Sequence, residues 1–201
     1  MIVKIAAFEL RYQLRQPLFW SVALIFFLLT FGSVTIDQIQ IGSGGNIHKN
    51  APVAIAQTHL VWSIFYMFGT TAFVANIIVR DDETGFGQII RSTRLTRGAY
   101  LIGRFTGAFA AVALSFLFVP LAIYLGSLMP WIDPETLGPN RLVDYAFAYG
   151  LIALPALLLT SSAFFALATI TRSMMATYLG VVAFFIAYLI LTTVLDKPQD
   201  R

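Results

Sequence analysis

Five long apolar runs constrain the fold of this chain more than any other feature of its sequence. They cover residues 18–36, 60–79, 99–128, 145–170 and 174–195. Each reaches or approaches the roughly 20 residues that an α-helix needs to cross a bilayer. Only 11% of the 201 residues are charged, against about 25% in a soluble domain. The sequence therefore predicts an all-α integral membrane protein with five transmembrane helices.

The third and fourth runs are longer than a single crossing requires, so we expect those helices to tilt or bend. Pro120 lies inside the third run and Pro155 inside the fourth. Proline lacks the backbone N–H and leaves a carbonyl of the preceding turn without its donor, which bends a helix.

The distribution of Lys and Arg predicts the orientation. With the amino terminus inside, nine of these residues lie in inner segments: Lys4, Arg11, Arg15, Arg80, Arg91, Arg94, Arg97, Arg104 and Arg172. Four lie in outer segments: Lys49, Arg141, Lys197 and Arg201. Because cytoplasmic loops carry the excess of basic residues, we expect a cytoplasmic amino terminus and outer loops over residues 37–59 and 129–144. Five spans then place residues 196–201 outside. A sixth span could be expected to follow, so we expect this sequence to be a fragment or the product of a truncated reading frame.

Residues 1–16, the leader, have the pattern of an amphipathic helix. Val3, Ala7, Leu10 and Leu14 share one face, and the bases Lys4, Arg11 and Arg15 lie away from it. This pattern favours a helix lying in the membrane interface, with Pro17 marking the turn into the bilayer. The alternative is that the leader is only the cytoplasmic start of the first span.

Residues 80–97, the inner segment, read RDDETGFGQIIRSTRLTR. Acidic residues come first and basic residues last, an order that suits the dipole of a short helix. Ile89 and Ile90 stand between them as an apolar pair that could insert into a groove on a soluble partner. The alternative is a solvated loop whose arginines only follow the positive-inside rule.

Small residues recur every four positions in the third and fifth runs. Gly103, Gly107 and Ala111 share a face of the third, and Gly180 lies on such a face of the fifth. Small side chains let helix backbones approach closely. We favour packing within one bundle over a dimer interface.

Catalytic and ion-coupling residues are missing from the apolar runs, which contain no Asp, Glu or Lys. Arg104 lies near the inner end of its run, where we expect it to extend to the lipid headgroups. The polar residues at depth, Thr70, Thr71, Asn76 and the trio 160–162, are expected to form hydrogen bonds between helices. No Cys is present, and His48 and His59, at the first outer loop, lack a zinc-peptidase pattern. Energy for transport would therefore come from a partner at the cytoplasmic side.

Several phrases of the sequence resemble one family. The leader, two spans and RDDETGFGQIIRSTRLTRGAYLIGRF resemble the permeases of ABC-2 type transporters. The phrases IQIGSGGNIHKNAPVAIAQ, LGSLMPWIDPETLGP and FFALATITRSMMATYLG resemble a subgroup whose larger members are fused to an M1-type metallopeptidase domain. The chain lacks the peptidase signature, and its five spans differ from the family's six.

The resemblance implies a type V exporter-like helical bundle in the inner membrane. It implies that the leader is the family's connecting helix, which also contributes to the ATPase contact. It implies that the inner segment is a coupling helix that contacts a separate ATP-binding subunit. The residues assigned to that contact are Asp82, Glu83, Gln88, Ile89, Ile90, Arg91 and Arg94. ATP and magnesium would bind the partner, so this chain would be no enzyme and hold no cofactor. The expected partners are the ATP-binding subunit, a second permease copy or half, and membrane lipid, with no nucleic acid.

Two other functions stay open. The chain could be a non-transporting membrane scaffold that anchors a peptidase or another complex. A channel or ion-coupled carrier would instead conduct or take up its substrate without a partner.

Overall fold

The computed structural model describes residues 1–36, 47–83 and 96–195, and these ranges contain helices and no β-strand. The α-helices are α1 (Ile2–Arg15), α2 (Pro17–Thr35), α3 (Pro52–Phe65), α4 (Met67–Glu83), α5 (Arg97–Phe116), α6 (Phe118–Gly126), α7 (Leu142–Phe147), α8 (Leu154–Thr171) and α9 (Met174–Leu195). A 3-10 turn covers Pro134–Thr136, and a π-helix at Ala148–Ala153 joins α7 to α8.

Four helical stretches are long and apolar enough to cross a membrane: Pro17–Thr35, Arg97–Gly126, Leu142–Thr171 and Met174–Val194. A fifth candidate is the pair α3 and α4, which is bent by 45°. The prediction of an all-α, multi-pass membrane protein is therefore confirmed at this level. Large apolar side chains remain exposed along α9, including Leu179, Ile186 and Ile190. In a bilayer such a surface faces lipid, so these exposed apolar side chains do not indicate that another protein covers α9.

The leader forms a helix separate from the first span. Gln16 between α1 and α2 is extended, with ψ of 137°, and Pro17 begins α2. A residue before proline is disfavoured in the helical region because the proline ring clashes with it. Rather than continuing α2, α1 packs along α5, and this packing positions its polar side chains against the third span.

The second span differs from its prediction in two ways. It begins at Pro52, so residues 52–59, expected in the outer loop, are helical and His59 is fully buried. It is also broken at Tyr66, whose side chain is inaccessible to solvent. No proline lies at this break, and Gly69 follows it by three residues. Packing of the Tyr66 ring against Phe26 and Phe116 accompanies the bend.

The two prolines inside long runs coincide with helical irregularities, as their chemistry requires. The third span divides at Leu117, three residues before Pro120. The fourth span contains the π-helix immediately before α8, where Pro155 occupies the first turn. In both places the proline has no N–H to donate to the carbonyl four residues earlier, and the local helix geometry changes.

The described parts of the two loops that are predicted to lie outside are joined by Asn50. Its side chain accepts a hydrogen bond from the Gly138 amide at 2.6 Å and donates one to the Gly138 carbonyl at 2.6 Å. It also donates to Asn140, which accepts a further bond from the Tyr145 hydroxyl. Since Asn50 is buried, these bonds tie the start of the second span to the start of the fourth.

Candidate functional site

The expected partner contact lies mostly outside the described residues. Asp82 and Glu83 are in the last turn of α4. The other five expected contact residues fall in the undescribed range 84–95: Gln88, Ile89, Ile90, Arg91 and Arg94. On its far side α5 begins at Arg97, and the Thr96 side chain accepts a hydrogen bond from the Ala99 amide at 3.4 Å. The structure thus defines the helix ends on both sides of this range.

A buried carboxylate, Glu9 of α1, lies between these helix ends. Its side chain is fully inaccessible to solvent. Its Oε2 atom pairs with Nη2 of Arg80 at 3.1 Å and with Nη1 of Arg104. Its Oε1 atom accepts a hydrogen bond from Nε2 of Gln13 at 3.0 Å. We call Glu9, Gln13, Arg80 and Arg104 the Glu9 cluster.

Further contacts fix the orientation of each member of the Glu9 cluster. Gln13 donates a second hydrogen bond to the Phe73 carbonyl of α4 at 3.2 Å. The Nε atom of Arg104 donates to the Tyr100 hydroxyl at 2.9 Å. The guanidinium of Arg80 stacks over the Tyr12 ring, 4.1 Å from its centroid. The Glu9 cluster therefore joins α1, α4 and α5 through directional polar contacts.

Two glycines of α5 allow α1 to approach closely enough for these contacts. A Cβ on Gly107 would lie 2.5 Å from the Ala6 carbonyl oxygen and 2.7 Å from Glu9 Cβ. A Cβ on Gly103 would lie 2.9 Å from Ile5 Cβ. All three distances are too short for real side chains. The small-residue face of the third span thus packs against α1 of the same chain.

The other two small residues singled out in the sequence also pack within the chain. Ala111 is completely buried. A Cβ on Gly180 of α9 would collide with the side chain of Leu167 on α8. Gly180 thus lies where α9 packs against α8, and this packing needs no second copy.

Because the Glu9 cluster is buried, its charged side chains must stay paired for the fold to be stable. Removing a carboxylate and a guanidinium from water costs several kcal/mol per ion, which only close pairing and additional hydrogen bonds offset. Arg104 is 3% exposed, so the expectation that it extends to the headgroups is wrong. It turns inward because Glu9 supplies a partner that the third span itself lacks.

Hydrogen bonds between helices at depth come from residues other than those expected. The hydroxyls of Thr71 and Thr160 bond to carbonyls of their own helices. Contacts between helices are instead made by tyrosines. The Tyr66 hydroxyl pairs with Ser115, and the Tyr149 hydroxyl donates to the Ala113 carbonyl at 2.8 Å.

His59 and Trp62 lie one turn apart on α3, beside this polar core. The Nδ1 atom of His59 donates to the Ile55 carbonyl at 2.8 Å. Its Nε2 atom and Nε1 of Trp62 are buried and have no hydrogen-bond partner among the described residues. Within residues 1–36, 47–83 and 96–195, no group of three His, Cys, Asp or Glu residues could hold a metal ion.

Sequence reasoning missed Glu9 and Gln13 as site residues. Two signals pointed to them: one acid within an otherwise basic leader, and one arginine within an apolar run. An unpaired charge is costly at either position, so the two residues are natural partners. Scans against protein-family models and against curated proteins found no match for this chain.

Proposed function

We propose that this chain is a membrane-spanning permease subunit, or the amino-terminal part of one, of an ATP-driven exporter of the ABC-2 type. ATP hydrolysis would occur on a separate subunit that contacts the inner segment from the cytoplasm. Two copies or halves in the inner membrane would enclose the transport path. The proposal combines the family resemblance with the geometry of the helix ends around the inner segment.

One observation carries the proposal: a single buried carboxylate holds the helices on both sides of residues 84–95. Arg80 lies near the end of α4, and Arg104 lies two turns into α5. Because both guanidiniums contact Oε2 of Glu9, a force on the inner segment acts on α1, α4 and α5 together. A coupling segment requires such stiffness, since a loosely tied loop would absorb the movement of a partner.

The broken second span supports a change between two states of the path. α4 is held by the Glu9 cluster, and α3 continues at an angle of 45° beyond Tyr66. A change in the angle at this break would reorient α3, the outer half of the span, while α4, the inner half, stayed attached to α1 and α5. Discontinuous membrane helices are common where transporters bind or gate their substrates.

The test is stimulation of a co-purified ATP-binding subunit by this chain in reconstituted membranes. The variant I89D/I90D is expected to abolish the stimulation and to leave membrane insertion unchanged, because two carboxylates cannot enter an apolar groove. The matched control is L142D/V143D, another adjacent apolar pair, with 68% and 75% exposure, at the opposite end of the bundle. Equal stimulation by I89D/I90D and the wild type would refute the contact.

Orientation provides a second, independent test. The chain has no Cys, so one cysteine introduced at Gln88 is a unique label. We expect an impermeant thiol reagent to reach it only from the cytoplasmic side. Labelling from outside would exclude an ATPase contact at the inner segment. If labelling is cytoplasmic but no ATPase co-purifies, a membrane scaffold becomes the better description.

A further inference from the structure

The surface of α1 divides into three sectors when its residues are placed at 100° intervals around the helix axis. The first contains Ile5, Glu9 and Gln13 and faces α5. The second contains Val3, Ala7, Leu10 and Leu14 and is apolar. The third, which we call the basic sector, contains Lys4, Phe8, Arg11 and Arg15, and all four of its residues are exposed.

The positive charge of the basic sector is not balanced within α1. Glu9 is the one acidic residue of this helix, and its carboxylate is buried on the opposite side with Arg80 and Arg104. Lys4, Arg11 and Arg15 form no ion pair within the described part of the chain. The basic sector therefore presents three cations to its surroundings.

The spacing of these cations forms a row. At 1.5 Å per residue, Arg11 lies about 10 Å along the axis from Lys4 and about 6 Å from Arg15. Next to this row, the apolar sector exposes Val3 at 79%, and Phe8 within the row is 62% exposed. Free phosphate or a polar protein surface would match the cations but leave these apolar groups in water. The combination of a cationic row and adjoining apolar groups matches the boundary between headgroups and acyl chains.

We infer that the basic sector of α1 binds the phosphate groups of anionic phospholipids, with the exposed apolar side chains of Val3, Ala7 and Phe8 in the acyl region. The other two residues of the apolar sector, Leu10 and Leu14, pack against the hydrophobic core of the chain. This inference requires only a multi-pass membrane protein and is independent of any ATP-binding partner. Because the Glu9 cluster ties α1 to α4 and α5, lipid bound at the basic sector would also stabilise the inner ends of two spans.

The experiment is native mass spectrometry of the full chain, delipidated in mild detergent and offered equal amounts of phosphatidylglycerol and phosphatidylcholine. We expect preferential retention of phosphatidylglycerol. The variant R11Q/R15Q is expected to lower this preference by about fivefold to thirtyfold, from roughly a fivefold effect per base near a charged surface. Phosphatidylglycerol should also raise the unfolding temperature of the wild type more than that of R11Q/R15Q.

Matched variants separate position from net charge. R141Q also removes an exposed arginine but leaves α1 intact, and it should retain the wild-type preference. R11K/R15K keeps the positive charges and should also retain the wild-type preference for phosphatidylglycerol. Should R11Q/R15Q fold poorly, the single variants K4Q and R15Q give the same test with smaller losses.

Three results would overturn the inference. The first is an unchanged preference in R11Q/R15Q, or a loss in R141Q equal to that in R15Q. The second is loss of the preference in millimolar inorganic phosphate, which would mean that the cations bind phosphate without requiring a lipid. The third is displacement of phosphatidylglycerol by a bound soluble protein partner, which would assign the basic sector to a protein contact.

Discussion

The replacement of Glu9 by Gln tests the Glu9 cluster at the level of single atoms. Three donors share the two oxygens of this carboxylate: Gln13 donates to Oε1, Arg104 donates to Oε2, and Nη2 of Arg80 donates to Oε2 at 3.1 Å and more weakly to Oε1 at 3.5 Å. A glutamine side chain has nearly the same shape but only one oxygen. If that oxygen faces the arginines, the new amide faces Gln13 Nε2, donor against donor. If it faces Gln13, the amide faces two guanidiniums.

The expected loss of stability in E9Q follows from the burial of the ion pairs. Glu9 is fully buried and the Arg104 side chain is 4% exposed, so solvent cannot screen the charge that remains. Breaking a buried ion pair by removing one partner typically costs about 3–5 kcal/mol. For a chain of this size, each kcal/mol lowers the unfolding temperature by about 2–4 °C. We therefore expect E9Q to lower it by at least about 6 °C.

Thermal unfolding of the purified chain in one detergent provides the assay. E135Q is the matched control, because it makes the same chemical change at an exposed position of the 3-10 turn. The variant R104M and the double variant E9Q/R104M complete a double-mutant cycle, and the double variant should lose less than the sum of the single losses. Equal unfolding temperatures for E9Q and E135Q, or strictly additive losses, would refute the reasoning.

Three further substitutions test other parts of the bundle by the same assay. G107A should destabilise the fold by about 1–3 kcal/mol because its Cβ would overlap α1. Its control G98A, with open space around the Cβ, should be neutral or slightly stabilising. Equal effects of the two variants would contradict the close approach of α1 to α5. N50A should lower the free energy of unfolding by about 1–3 kcal/mol, because the amide and carbonyl of Gly138 lose their partner. An unchanged unfolding temperature would mean that Asn50 does not join the two loops. H59L should be neutral or stabilising, since it removes a buried nitrogen without a partner among the described residues; a large loss of stability would show that Nε2 has a partner in the membrane.

The sequence alone determined the class of the protein, because that class depends on averages over long windows. Runs of about 20 apolar residues have one stable arrangement in a bilayer, a helix that satisfies its own backbone. Pro120 and Pro155 predicted the places where two spans become irregular, since the missing N–H is a local chemical fact. Gly103 and Gly107 likewise predicted a close approach between helices.

Tertiary structure decided which surfaces meet and which polar groups pair. Gly103 and Gly107 could face any helix of the bundle, and only the fold shows that they face α1. Arg104 alone would extend to the headgroups, yet Glu9, 95 residues earlier in the chain, turns it inward. The break at Tyr66 has no proline, and Gly69 three residues later did not by itself predict it. Such features depend on contacts between residues distant in sequence, and the low polarity of the interior makes each of those contacts energetically decisive.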